Sequence, residues 1–261
     1  MDKDNIFCST KFHMDSDDVL HILVKDLTGA VPVIELYDNE GNVEDTYPVY
    51  ANSQYGVLYN WYAAADARNI TSVGWHVPTK AEFETLITYC GGGAVAGGVL
   101  KETGIVYWNS PNTGATNLYG FNGRGAGQRH PAGIFLLNKN ITYFWSSPLM
   151  ALYDYNFLVL QNNSAAIAGY TIVPDIEKSG FSLRPIKDAT TLTHGQTGTY
   201  TGNDGLVYNT ICIGTQEWLS ESLKETKFRN GVDIPIVTDN AAWAALTTAG
   251  MCYYKNDVTY V

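Results

Sequence analysis

Thr79 and Glu82 stand three residues apart at the start of an apolar pattern, and that spacing fixes where a helix begins. In a Thr-x-x-Glu capping box each side chain satisfies a backbone N–H that the first turn leaves without a partner. Phe83, Leu86, Ile87 and Cys90 then fall at i, i+3, i+4 and i+7, which gives the helix one apolar face. Gly91-Gly92-Gly93 ends it. The next stretch, 94–142, is rich in Gly, Asn and Thr and reads as a long loop region with little regular structure.

Strand patterns follow. Tyr143-Phe-Trp-Ser-Ser147 is one, and Tyr153 to Leu160 alternates into a second. Gln161-Asn-Asn-Ser164 is a turn, Ala165 to Val173 a third strand, and Phe181 to Ile186 the last. Upstream, Val19–Val24 and Val31–Tyr37 are β-rich runs around Thr28-Gly29, and Asp38–Gly41 is a turn signal, so 1–50 reads as a small β element. Short helices with a twisted antiparallel sheet, preceded by that β segment, make an α+β chain. Further on, 189–198 reads as a flexible linker. Asp239 or Asn240 caps a short helix carrying Trp243 and Leu246. Trp218, Leu219 and Leu223 read as an apolar turn, with Glu217 and Glu221 as exposed i, i+4 neighbours on it.

Composition removes several classes of function. A formal net charge of −10, with no Lys/Arg run, excludes a phosphate-neutralising surface, so nucleic acid is not expected as a partner. An anionic membrane is disfavoured on the same ground, and no apolar run is long enough to span a bilayer. Met1-Asp-Lys-Asp-Asn-Ile6 shows no secretory signal. Cys8, Cys90, Cys212 and Cys252 form no C-x-x-C pair, which leaves zinc unsupported. Free buried thiols are the default for the cysteines, with a Cys212–Cys252 disulfide as the second option. His13 and His21 near Asp15, Asp17 and Asp18 are read as a solvated acidic loop, because nothing fixes ligand geometry. Gly123–Arg129 is glycine-rich but lacks the Lys-Ser/Thr of a phosphate loop. His76 is read as structural. The other histidines are scattered, and no nucleophile–base set is visible, so neither catalytic residues, metal nor cofactor is expected.

Tyr55-Gly-Val-Leu-Tyr-Asn-Trp-Tyr62, Gly74-Trp-His-Val-Pro-Thr79, Leu100-Lys-Glu-Thr-Gly104, Trp108–Gly114, Tyr143–Ser147 and Gly180-Phe-Ser-Leu-Arg-Pro185 occur in one order. In that order they resemble the Fibrobacter succinogenes major paralogous domain, a module with a C-type-lectin-like fold. Residues 1–50 are read as lying outside the resemblance, as an attachment or oligomerisation segment, and 51–188 as the main part of the module. The resemblance implies that the terminal sheet displays ligand contacts, with Tyr153, Tyr155, Asn156, Asn162, Asn163, Tyr170 and Ile172 as candidates. Trp108-Asn109 and Pro111-Asn112 are similar to the calcium motifs of sugar-binding lectins, but their flanking carboxylates are missing. Formylglycine-generating oxidases share the broad fold, yet Cys212 and Cys252 fall in the wrong part of the module for their cysteine pair.

After the linker, Asn203–Tyr208, Ile211–Leu219, Ser222-Leu-Lys224, Asn230-Gly231 and Cys252–Asn256 again resemble the family. They resemble its opening motifs, although here they come last. A tandem copy cut short is one explanation. The favoured one is circular permutation, in which 199–261 supply the first half of the module that 51–188 complete. The resulting expectation is a non-catalytic recognition module. It is read as a phage or prophage virion protein of a tail or head fibre, made in the host cytoplasm, with a host surface glycan or protein and other virion proteins as partners. It is expected to be a homo-oligomer, with a trimer as one option. A bacterial surface or secreted protein is the alternative, and a formylglycine-type oxidase the third.

Overall fold

Antiparallel pairing dominates the chain. The computed structural model describes residues 55–147, 157–168 and 174–257, together with the backbone of three strands near the N-terminus. Those are β1 (Leu20–Val24), β2 (Val33–Tyr37) and β3 (Val43–Pro48), an antiparallel three-stranded sheet in the order β1-β2-β3. The sequence marks the first two and their turns. The third pairs Val33 with Pro48 and shifts register between Leu36 and Tyr37.

The body begins with β4 (Leu58–Tyr59) and a single turn of helix, α1 (Trp61–Ala64). Asn60 caps α1 by accepting from Ala63 N at 3.0 Å. Next come β5 (Trp75–His76) and α2 (Lys80–Tyr89). The capping box forms as the spacing requires: Thr79 Oγ1 accepts from Glu82 N, and Glu82 Oε2 accepts from Thr79 N at 2.7 Å. Phe83 and Leu86 are buried, and the Phe83 ring stacks on Trp218 at 5.5 Å and 15°. The helix therefore rests on a residue far downstream.

Helix α3 (Ala96–Leu100) sits in the loop region, where two glycines allow backbone to touch backbone. A Cβ on Gly98 would lie 2.3 Å from Gly114 O, and one on Gly97 would lie 2.5 Å from Ala166 O. The short pair β6 (Gln128–Arg129) and β7 (Phe135–Leu136) precedes the hairpin of β8 (Ile141–Trp145) and β9 (Phe157–Gln161). The second strand expected from the sequence thus starts at Phe157. Tyr153–Asn156 lie outside the described residues. The third expected strand does not form where it is described. Residues 165–168 are irregular, and their backbone serves α3 and the adjoining loop instead, with Gly98 N donating to Ala165 O and Ile167 N to Gly93 O.

The largest sheet has five strands in the order β11-β12-β13-β10-β5, with β10 (Ile186–Lys187), β11 (Thr197–Thr201), β12 (Val207–Ile213) and β13 (Gln216–Leu219). Ile186 pairs with Trp218 on one side and with His76 on the other. Residues 216–219 are therefore strand where the sequence suggested an apolar helical turn. Glu217 is not the exposed neighbour of Glu221 expected there. It is 1% exposed and is held by Lys187 Nζ at 3.0 Å, Thr210 Oγ1 at 2.9 Å and Thr190 Oγ1 at 2.5 Å. The stretch read as a linker is bonded to the same sheet, Gly195 N donating to Cys212 O and Cys212 N to Gln196 O. Finally α4 (Asn240–Ala244), capped by Asp239, leads to β14 (Met251–Cys252), which pairs with β4. Residues 197–252 and 58–187 are thus interleaved in two sheets.

Two buried arginines fasten this arrangement. Arg184 Nη1 donates to Phe121 O and to Leu219 O at 3.1 Å, while its guanidinium lies 4.3 Å from the Phe121 ring. Arg129 donates to Val237 O, Thr238 O and Asp239 O and stacks 4.3 Å over Trp243. In both places the planar fork satisfies carbonyls that loops would otherwise leave unpaired.

Candidate functional site

The sheet face expected to carry ligand contacts is built on β8 and β9, which pair over five positions from Ile141–Gln161 to Trp145–Phe157. Beneath them Phe181 packs against Tyr143 at 4.6 Å and Trp145 at 4.4 Å, and Trp145 Nε1 donates to Tyr59 O at 2.8 Å. The hairpin is held rigidly from its inner side. Of the seven candidates, Tyr153, Tyr155, Asn156, Tyr170 and Ile172 lie outside the described residues. Asn163 is exposed in the turn after β9. Asn162 is committed within the fold: its amide donates to Asn109 O and Ser110 O, both at 3.2 Å.

The loop asparagines that were compared with calcium motifs, Asn109 and Asn112, are also committed internally. Asn109 Nδ2 donates to Asn140 Oδ1 at 3.0 Å, and Asn112 Nδ2 to Glu102 O and Gly104 O. The Glu102 carboxylate accepts from Arg124 Nε at 2.5 Å. The Lys101 ammonium is buried in a cage of three carbonyls, Thr113 O, Gln161 O and Ser164 O, at 2.6 to 3.0 Å. Among the described residues no group of three His, Cys, Asp or Glu converges as metal ligands.

His76 is clamped at both ends. Nδ1 lies 2.6 Å from Asp188 Oδ1 and Nε2 lies 2.8 Å from Glu82 Oε1. The Glu82 hydrogen bond, with that of Asp188, raises its pKa above the ordinary histidine value. With both nitrogens occupied, the ring joins the start of α2 to the end of β10 and has no lone pair to offer as a base.

Cys90, Cys212 and Cys252 are buried free thiols, so the Cys212–Cys252 disulfide is not formed. Burial pushes the Cys252 thiol up to about 12 and the Cys90 thiol up to about 11. Such groups stay protonated and unreactive at neutral pH. Cys212 donates to Leu192 O, whereas Cys252 sits with Trp243 and Tyr254, so the two belong to different neighbourhoods.

One surface constellation is absent from the sequence reading. Tyr89, Tyr119 and His194 form an aromatic trio with ring centroids 5.0 to 5.5 Å apart. Beside it a groove of about 720 Å³ runs between α2 and the β12–β13 turn. The available signal was Tyr89 itself, which sits off the 83–86–87–90 apolar stripe and therefore points away from the core side of its helix. His194 carried no local signal, because its partners come from distant parts of the chain.

By architecture this is an α+β protein of antiparallel sheets with a few short helices. The chain belongs to the Fibrobacter succinogenes major domain family, whose model matches residues 23–187. The match begins at residue 23, inside the segment that the sequence set apart as an attachment element. No curated protein and no solved structure matches the chain.

Proposed function

We propose that this protein is a non-catalytic recognition module with a C-type-lectin-like body, displayed on a phage or prophage virion as part of a tail or head fibre. The observation that carries the reading is the β8–β9 hairpin. A rigid aromatic underside holds two paired strands, and the sequence between them contains Tyr153-Asp-Tyr-Asn156. Binding residues carried on connections between rigid elements are the usual arrangement of recognition proteins. Tyr and Asn supply contact area and adaptable hydrogen bonds at small entropic cost. The ligand class is a host surface glycan or protein, and oligomeric display would multiply a weak single-site affinity. The remaining partners in this reading are other virion proteins and further copies of the chain. Buried, separately housed Cys212 and Cys252 favour recognition over a formylglycine-type oxidase. A bacterial surface or secreted protein is the second reading.

The same proposal includes permutation: 199–261 act as the opening half of the module. Its support is the pairing of β13 with β10 and of β14 with β4. Whole-cell and glycan-array binding, compared between wild type and a Tyr153→Ala/Tyr155→Ala/Tyr170→Ala variant, tests the recognition role. At least a tenfold loss of cell binding is expected, equivalent to about 1.4 kcal/mol. Retained binding by a folded triple variant sinks the sheet as the contact face.

A further inference from the structure

We propose that the groove between α2 and the β12–β13 turn is a second binding site, one that takes a neutral saccharide with Tyr89 as its stacking platform. The inference is independent of the hairpin reading, because no residue is shared between the two.

The platform is fixed from below. Tyr89 is 42% exposed, yet its ring lies on the backbone of Gly214, where an added Cβ would come within 2.9 Å of Cδ2. Gly214 also has φ of 65°, so the turn needs a glycine both for its backbone angle and for the ring above it. Tyr119 and His194 pack against Tyr89 at tilts of 56° and 57°. Rings at such angles brace one another and still leave the cluster partly open to solvent.

The surrounding polar groups are arranged for hydroxyls. Gly214 N–H donates to His194 Nδ1 at 3.2 Å, which selects the neutral tautomer with the proton on Nε2. That Nε2–H has no acceptor among the described residues. Thr85 and Thr88 line the groove and give their hydroxyl protons to Ala81 O and Glu84 O, so their oxygens can act only as acceptors. The Glu84 carboxylate, which also lines the groove, makes no hydrogen bond among the described residues. A pyranose supplies what this combination lacks: a C–H face for the ring and alternating donors and acceptors for the rim. The groove volume of about 720 Å³ falls within the ordinary range for small-ligand sites, roughly 300–1,000 Å³. Glu84 and the net charge of −10 disfavour anionic sugars. An extended peptide finds no free ladder here, since β12 and β13 pair with each other up to Ile213 and Gln216. The groove is also composite: Thr85, Thr88 and Tyr89 lie inside the family match, whereas Gly214 and Gln216 lie beyond its end at 187.

The test uses the full chain and a panel of neutral disaccharides and trisaccharides of glucose, galactose and N-acetylglucosamine, with sialyllactose as the anionic contrast. Saturation-transfer NMR and calorimetric titration read the binding. At least one neutral member binds, and sialyllactose binds more weakly. Tyr89→Ala weakens binding tenfold or more. Thr88→Arg, a change at an exposed helix position, blocks the groove and removes binding while the melting temperature is kept. His194→Ala weakens it severalfold. Absence of binding by every neutral saccharide, preference for the anionic one, or undiminished binding by a folded Thr88→Arg protein overturns the proposal. Loss of saccharide binding in the Tyr153/Tyr155/Tyr170 triple variant alone would move the site to the hairpin and overturn it too. Loss of cell binding there with saccharide binding intact leaves both proposals standing.

Discussion

His76 shows how a single residue does different work from what its chemistry suggests. A histidine between two carboxylates looks like a catalytic dyad, but both ring nitrogens are already engaged, by Asp188 and Glu82. The protonated ring is the form those carboxylates stabilise, so its folded pKa lies above the unfolded value of about 6.5. A raised pKa means that the stabilisation is fully present below the unfolded value and is lost as pH rises through the folded one. Glu225 adds a slope of the same sign. Burial, with neighbouring Asp204, pushes its carboxyl up to about 8 against the pull of backbone N–H groups of Asn203, Thr226 and Lys227. The diagnostic is therefore a difference. Melting temperatures of wild type and His76→Gln should diverge most near pH 5.5 and converge by pH 8.5. An equal gap at both values would show that charge on His76 contributes nothing.

At the scale of elements, α2 was legible because its signals are local. Thr79, Glu82 and the 83–86–87–90 stripe all lie within a dozen residues, and cap, length and buried face follow from them. Thr79→Ala removes the cap bond from Glu82 N to Thr79 Oγ1 and the hydroxyl's own bond to Glu82 Oε2, while the backbone N–H of residue 79 keeps its bond to Glu82, so a loss of about 1 kcal/mol in urea unfolding is expected. An unchanged midpoint would show that packing on Trp218 alone holds the helix. The Asp239 cap of α4 was legible for the same reason. Residues 216–219 were misread because Glu217, Trp218 and Leu219 carry no clear period. Their strand state comes from Ile186 and Thr210–Ile213, partners that only the tertiary fold brings alongside. The strand expected at 165–168 failed for the converse reason. Its β-compatible residues are claimed by close glycine packing at Gly97 and Gly98. The candidate site divides in the same way. Asn162 carried a turn signal that the structure honours, but the use of its amide to brace Asn109 and Ser110 depends on a loop far away in sequence.

At the scale of the molecule, the question is whether 189–261 belongs to the body or merely rests on it. The core answers in energetic terms. Trp218 is fully buried under Phe83 and Phe121, Trp243 under Arg129, and Met251 and Tyr253 pack in the same cluster as Tyr59 and Trp75. Emptying even one such large aromatic site costs about 3–5 kcal/mol, against a total stability of roughly 5–15 kcal/mol for an ordinary domain. Removing the tail empties several at once. It also strips Arg184 and Arg129 of carbonyl partners they hold in the interior. A chain ending at Asp188 should therefore lack a cooperative melting transition and bind a hydrophobic dye. The same chain co-expressed with 189–261 as a separate polypeptide should recover both solubility and cooperative unfolding, since the two pieces meet through the β13–β10 and β14–β4 pairings. Under the permutation proposal the break is harmless, because it only cuts a connection between halves of one module. A 1–188 fragment that melts cooperatively by itself would instead make the tail an accessory layer, and the permutation would fall with it.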